Sequence, residues 1–128
     1  MDLITLAAAA LSLCASGPRE TCVVDGDTFW LNGEKIRLAD INAPETGQAR
    51  CAVERALGER AKHRLAQLLG SGPYDLVIEG RSTDRYGRAL RIARRRGQSI
   101  GLQLVAEGLA EPWQGRRSDW CLRLAARQ

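Results

Sequence analysis

Val24-Asp25-Gly26-Asp27-Thr28 is followed at short range by Ile36-Arg37-Leu38 and by Asn42-Ala43-Pro44-Glu45-Thr46. These three blocks hold two aspartates, an asparagine, a glutamate, two threonine hydroxyls and an arginine. Oxygen donors of that kind suit a hard cation such as Ca²⁺ or Mg²⁺. An arginine beside them suits phosphate, because its planar fork matches two phosphate oxygens and stays charged at any working pH.

The elements between the two ends must bring them together. Phe29-Trp30-Leu31 and Lys35-Ile36-Arg37-Leu38 are rich in strand-forming residues and flank Asn32-Gly33, the pair best suited to two positive φ angles in a tight hairpin. Antiparallel strands counted outward from that turn carry Asp27 and Thr28 towards Leu38, Ala39 and Asp40, with Asn42 and Glu45 just beyond. Pro44 fixes its own φ and biases Ala43 to an extended form, so Glu45 is presented from a constrained loop. Thr21 to Val24 reads as a preceding strand.

Beyond Glu45 the hydrophobic period changes. Val53, Ala56, Leu57, Ala61, Leu65, Leu68 and Leu69 recur at steps of three and four, and Gly70-Ser71-Gly72-Pro73 ends the run, which predicts one long helix. Gly58 inside that helix costs about 1 kcal/mol relative to alanine, which points to a close backbone approach there. His63, the only histidine, falls on the helix's polar side and reads as a surface residue. Tyr74 to Glu79 and Ala89 to Arg94 read as two more strands. Ser99 is a candidate cap for a short helix over residues 100–107 that Gly108 stops, and Ser118 for another over residues 119–127.

The 128 residues suit one domain, and 45% hydrophobic with 27% charged residues is a globular composition. Net charge is +4, and between Arg81 and Arg96 seven arginines stand against Asp84 alone. Such clustering is what a polyanion-binding face needs, although arginines on strands and turns are often simply solvated. Leu3 to Ala15 has the length of a signal-peptide apolar region and is too short to span a bilayer. Its flank carries Asp2 and neither lysine nor arginine, which is a poor signal. Residues 1–16 are therefore set apart from a domain over residues 17–128, with export to a secreted or periplasmic location favoured over an N-terminal extension packed on the domain. Cys14, Cys22, Cys51 and Cys121 lack zinc-ligand spacing; if the leader is removed, one disulfide and one free thiol remain, with Cys51 and Cys121 the preferred pair.

The blocks Val24-Asp25-Gly26-Asp27-Thr28, Ile36-Arg37-Leu38 and Pro44-Glu45-Thr46, with Thr83-Asp84-Arg85-Tyr86-Gly87-Arg88 downstream, resemble the thermonuclease (staphylococcal or micrococcal nuclease-like) family in content, order and approximate spacing, over roughly residues 21–113. The resemblance implies an α+β fold: a five-stranded OB-type β-barrel with one long helix after the third strand and two short C-terminal helices. It implies Ca²⁺, with other divalent cations as alternatives, and endonucleolytic cleavage of DNA or RNA by a monomer that leaves 3′-phosphates. Slow phosphodiester hydrolysis calls for a positioned water, a proton acceptor and cations against the developing charge. Glu45 is the candidate to orient or deprotonate the water, and Arg37 and Arg88 to grip the phosphate. Asp27 and Asn42 are candidate metal ligands, with the Ala43 carbonyl as a backbone ligand. Arg85 and Tyr86 match family positions that contact substrate; ordinary barrel packing is the competing role for Tyr86. Asn42 departs from the family pattern, which has aspartate there, and so removes a charge from the metal site. A nucleic-acid-binding OB module without catalysis is the alternative reading.

Overall fold

The computed structural model describes residues 10–125; the apolar leader's first nine residues, and the end of the expected last helix, lie outside the described residues. β1 (Cys22–Asp25), β2 (Thr28–Leu31) and β3 (Glu34–Leu38) form an antiparallel meander. The β2–β3 turn has positive φ at both Asn32 (50°) and Gly33 (83°), as the Asn-Gly pair predicts. β4 (Ile41–Asn42) follows, then α1 (Ala52–Gly70), β5 (Asp75–Val77), β6 (Ala89–Arg95), β7 (Gln98–Ser99), α2 (Ile100–Ala106), β8 (Glu111–Pro112) and α3 (Trp120–Ala125). The main sheet runs β1-β2-β3-β6-β5 with β7 on β6, and only β3 and β6 pair in parallel. The architecture is the expected α+β, OB-type arrangement. Two details differ from the closed five-stranded expectation. The ladder stays open, since β1 and β5 do not pair among the described residues. Residues too few to show a period form a separate two-stranded ribbon, β4 with β8, that carries Asn42 opposite Glu111.

The core lies between the sheet and the helices. Val23, Phe29, Ile36, Leu38 and Ile41 from the strands meet Leu65 of α1 and Leu104 of α2, all fully buried. Burying an aliphatic or aromatic side chain of this size is worth about 1.5–3 kcal/mol each, so this cluster is the main source of stability. Ser99 caps α2 as expected, its hydroxyl accepting from the Leu102 N–H at 3.0 Å. The cap of α3 is Asp119, which accepts from the Leu122 N–H at 3.0 Å, rather than Ser118. A carboxylate one residue later does the same chemistry with a charge favourable at a helix start.

The first turn of α1 reverses the expected pattern. Val53 and Ala56 are exposed, while Glu54 and Gly58 are buried. What faces this turn is the polar backbone of the loop that carries Glu45, so hydrogen-bonding capacity and small size are needed there in place of apolar bulk. Glu54 accepts from the Glu45 N–H at 3.1 Å and the Arg50 N–H at 3.0 Å. A Cβ on Gly58 would stand 2.5 Å from the Glu45 carbonyl oxygen and 2.9 Å from that of Pro44. The helix tolerates glycine because the loop leaves no room for anything larger. His63 is exposed, as its position on the polar face implies.

Residues before the domain also make contacts. The Leu11 N–H donates to the Ala66 carbonyl at 2.9 Å, Leu13 bridges to Val23, and Cys14 is disulfide-bonded to Cys22. The second disulfide joins Cys51 to Cys121, the pair preferred from the sequence, and leaves no free thiol.

Gly58→Ala separates these forces. Helix propensity alone favours it by about 1 kcal/mol. The clash with the Glu45 loop opposes it by about 1–3 kcal/mol, and the loop's backbone has no flexible end that could move aside. Thermal unfolding should show a net loss of stability, and a variant as stable as wild type would mean the loop does not rest on α1.

Candidate active site

Asp27 sits in the two-residue turn between β1 and β2, and the tightness of that turn depends on Gly26. A Cβ on Gly26 would lie 2.7 Å from the Ala61 Cβ and 2.9 Å from the Ala43 Cβ, so this turn is pressed directly onto α1. The Asp27 carboxylate is buried. Its Oδ1 accepts from the Thr28 hydroxyl at 2.9 Å and its Oδ2 from the Ala43 N–H at 2.8 Å, and Arg37 Nη1 lies 3.5 Å from Oδ2. Arg37 itself is 5% exposed. Its Nη1 donates to the carbonyls of Leu38 at 2.5 Å and Ile41 at 2.9 Å. One edge of the guanidinium is thus fixed to the strand end while Nε and Nη2 have no protein acceptor among the described residues. Trp113 covers the guanidinium with its ring centroid 5.4 Å away.

Burial lowers the Arg37 pKa, with Arg88 and Arg117 pushing the same way against the attraction of Asp27. Arginine nevertheless stays cationic. The charges of Asp27, Glu45, Arg88 and Arg117, from four separate segments, all reach this guanidinium.

Glu45 is half-buried. Its carboxylate is paired with Arg117, from the segment between β8 and α3. Burial raises its pKa above the ordinary glutamate value and the charge of Asp25 adds to this, while Arg117 pulls it down. Asp25 accepts from both the hydroxyl (2.6 Å) and the N–H (3.2 Å) of Thr46. Burial holds its carboxyl above the usual value in spite of those bonds, with Asp27 contributing. Asp25 and Glu45 are therefore crowded carboxyls, both held above their ordinary values by burial and by neighbouring negative charge.

Arg88 is positioned from the β5–β6 loop. Asp84 Oδ1 accepts from the N–H groups of Tyr86 and Arg88, both at 2.9 Å, and Oδ2 accepts from Arg88 Nε at 2.6 Å. Burial alone would raise the Asp84 carboxyl, yet the Arg88 N–H and guanidinium together with the Tyr86 N–H hold it below its ordinary value. Arg88's remaining guanidinium nitrogens have no protein acceptor among the described residues. Tyr86 is 69% exposed, which removes barrel packing as its role. Both Arg85 and Arg88 stack on its ring, at 4.9 and 5.6 Å from the centroid, and Arg85 Nη2 donates to its hydroxyl at 2.8 Å.

The structure thus joins Asp27 to Arg37 and to the Ala43 N–H and lines one cleft with Asn42, Ala43 and Glu45, while Arg88, with Arg85 and Tyr86 beside it, lies close enough for its charge to act on Arg37. Asn42 is nearly fully buried on β4, and its Nδ2 donates to Glu111 Oε1 at 3.0 Å while Glu111 also pairs with Arg123. The amide nitrogen is engaged, so the oxygen is the atom left for a cation. Asp40, the carboxylate nearest in sequence, accepts from the Ser99 hydroxyl at 2.5 Å and so faces α2.

The arginine-rich stretch does not act as one face. Arg94 pairs with Glu79 at 2.7 Å, and Arg95 donates to the carbonyls of Leu68 (2.7 Å), Gly72 (2.8 Å) and Pro73 (3.2 Å), which satisfies the C-terminus of α1. Arg91 bonds the Ser82 and Leu90 carbonyls. Several site residues are not visible in the sequence patterns: Glu54, Glu111, Trp113 and Arg117. Glu54 carries a hint in being a carboxylate on the apolar face of a helix; the others reach the site from a distant segment with no local signature.

Residues 35–121 match the family described as staphylococcal nuclease homologues, and the chain belongs to that family. An uncharacterized endonuclease of Haemophilus influenzae is 35% identical over 109 residues, covering 78% of this chain and 56% of that protein. A micrococcal nuclease of Shigella flexneri is 39% identical over 74 residues (55% and 37%), and endonuclease YncB of Bacillus subtilis is 36% identical over 92 residues (68% and 43%). The chain thus spans between about a third and somewhat over half of the length of these curated relatives.

The contact between Asn42 and Glu111 sets a direct test. Asn42→Asp alone would place a second carboxylate against Glu111 in a buried position, at a cost of about 1–3 kcal/mol. Asn42→Asp with Glu111→Gln should recover most of that loss. Denaturant unfolding of the single and double variants gives the comparison, and equal stability of wild type and the single variant would contradict the contact. The acidic group sets another. A folded-state pKa raised above the unfolded value contributes stability that is complete below the unfolded pKa and is lost as pH rises through the folded one. Asp25→Asn should therefore raise the metal-free Tm more at pH 7 than at pH 4; a gain confined to pH 4 would be the wrong sign.

Proposed function

We propose that this protein hydrolyses phosphodiester bonds of nucleic acid, DNA or RNA, with a divalent cation, Ca²⁺ first among the candidates. The observation that carries the reading is Arg37, its Nε and Nη2 without a protein acceptor among the described residues, held against the buried Asp27 and within electrostatic reach of both Glu45 and Arg88. Family membership and the relatives' nuclease names support it.

The donor set fits a hard cation. Asp27 and the Asn42 amide offer oxygen ligands, the Ala43 carbonyl belongs to the residue whose N–H already holds Asp27, and the crowded carboxyls of Asp25 and Glu45 would be relieved by positive charge. When bound, such a cation would neutralise charge on the phosphate oxygens. The chain's own residues account for the rest. Arg37 presents Nε and Nη2 from a rigid, buried mount, so alignment with two phosphate oxygens requires little further ordering. Arg88, pinned through Nε by Asp84, directs its outer nitrogens to the same phosphate from the opposite loop. Both gain strength as charge grows on the phosphoryl oxygens, which is the condition for lowering the barrier and not just tightening binding. Glu45, once ionised, takes the proton of the attacking water. Cleavage within the strand to leave a 3′-phosphate, by a monomer, completes the proposal. Two disulfides support an oxidising, secreted or periplasmic location.

The test is cleavage of single-stranded DNA and RNA in Ca²⁺ against EGTA. Activity should need the cation. Arg88→Ala should lower kcat by about 10²-fold or more, as expected for loss of a donor to developing charge, and Glu45→Gln should lower kcat while sparing oligonucleotide binding. No cleavage in Ca²⁺, Mg²⁺ or Mn²⁺, with binding retained, would leave a binding module instead.

A further inference from the structure

A cleft of about 270 Å³ has Asn42, Ala43 and Glu45 of the proposed site on its lining, and extends to Gln48, Arg50, Arg117 and Ser118, which the proposed chemistry does not use. A second cleft of about 330 Å³ adjoins it on the far side of Arg117 and includes Arg116 and Gln114. The three carboxylates that border the first cleft are already engaged by the protein: Glu45 with Arg117, Glu54 with the Glu45 and Arg50 N–H groups, and Asp119 with the Leu122 N–H. The cations are less engaged. The Arg50 side chain is exposed and has no acceptor among the described residues. Arg117 is half-exposed and uses only Nη1, on Glu45, so Nε and Nη2 have no acceptor among the described residues.

The cleft's construction is specific. Arg50 immediately precedes Cys51, and Arg117 lies four residues before Cys121, so the Cys51–Cys121 disulfide joins the two arginine-bearing segments. Trp120, buried behind the cleft, and the Asn42–Glu111–Arg123 chain fix the Arg117 segment from the other side.

We propose that Arg50 and Arg117 form a second phosphate-binding subsite, held together by the Cys51–Cys121 disulfide, which takes a backbone phosphate of the same nucleic-acid strand next to the one at Arg37 and Arg88. This rests on the reading of the site as a nuclease. An incoming phosphate, a stronger partner for arginine's paired donors than a single carboxylate oxygen, draws Arg117 from Glu45 and leaves the glutamate for the water.

The experiment compares wild type with Arg50→Ala, Arg117→Ala, their double variant and Arg117→Lys on single-stranded DNA in Ca²⁺, with circular dichroism to establish folding. KM should rise about tenfold for each alanine variant, the loss of a charge-assisted hydrogen bond, and rise more steeply than kcat falls. For a labelled oligonucleotide in EDTA, the slope of log K against log salt should flatten by about 0.7 in the double variant, the figure for one phosphate contact on a single strand. Arg117→Lys should restore the slope while recovering KM only in part. Cys51→Ser/Cys121→Ser should raise KM in wild type and add little to the double arginine variant. Unchanged KM and salt slope in the folded double variant would overturn the subsite even with a fully active enzyme. If wild type cleaves nothing in any cation, the nuclease reading fails, and the salt slope alone decides: a flattened slope retains the phosphate site, an unchanged one removes it.

Discussion

The contact on which the site depends is the Asp27 carboxylate accepting the Ala43 N–H while it faces Arg37. It joins the end of the β1–β2 turn to the start of the loop that carries Glu45, two segments that the hairpin brings near one another but does not itself bind. A buried carboxylate without partners would be too costly to keep charged, and a buried guanidinium likewise. Each is tolerable because the other, the Thr28 hydroxyl and the Leu38 and Ile41 carbonyls surround them. The arrangement is rigid for that reason, and rigidity is what phosphate recognition by a fixed arginine edge requires.

The rest of the fold supports this pair in layers. Gly26 and Gly58 let the turn and the loop lie directly on α1, where any side chain would force them apart. Glu54 replaces the apolar residue that the helical period expects and holds the loop's N–H groups instead. The β4–β8 ribbon and the Cys51–Cys121 disulfide bring a late segment, with Glu111, Trp113 and Arg117, against residues that are some seventy positions earlier. The arginines differ in what they hold. Arg95 closes a helix end and Arg94 pairs with Glu79, while Arg37 and Arg88 keep guanidinium nitrogens without a protein acceptor among the described residues.

Much of this was legible in the sequence where local chemistry decides it. The Asn32-Gly33 turn, the long helix and its stop, the Ser99 cap and the close approach at Gly58 each follow from the residues on the spot. The hairpin count brings Asp27 to the strand end that leads to Ala43, and the structure joins the two by a hydrogen bond. What was not legible depends on long-range pairing. Nothing near Asn42 announces Glu111, so the buried amide-to-carboxylate bond, and with it the destabilisation that an aspartate would bring, was hidden. The arginine run from residue 81 to 96 looked uniform because charge counting is blind to the α1 carbonyls and to Glu79 as partners.

The most direct measurement is single-turnover cleavage of DNA by Arg37→Lys in saturating Ca²⁺, with folding established by thermal unfolding. Lysine keeps the positive charge beside Asp27 but cannot bond the strand-end carbonyls and present a planar edge to phosphate at once. The expected result is a folded protein whose cleavage rate falls by about 10²-fold or more. A folded Arg37→Lys protein that cleaves at the wild-type rate would contradict the role given to that fixed edge.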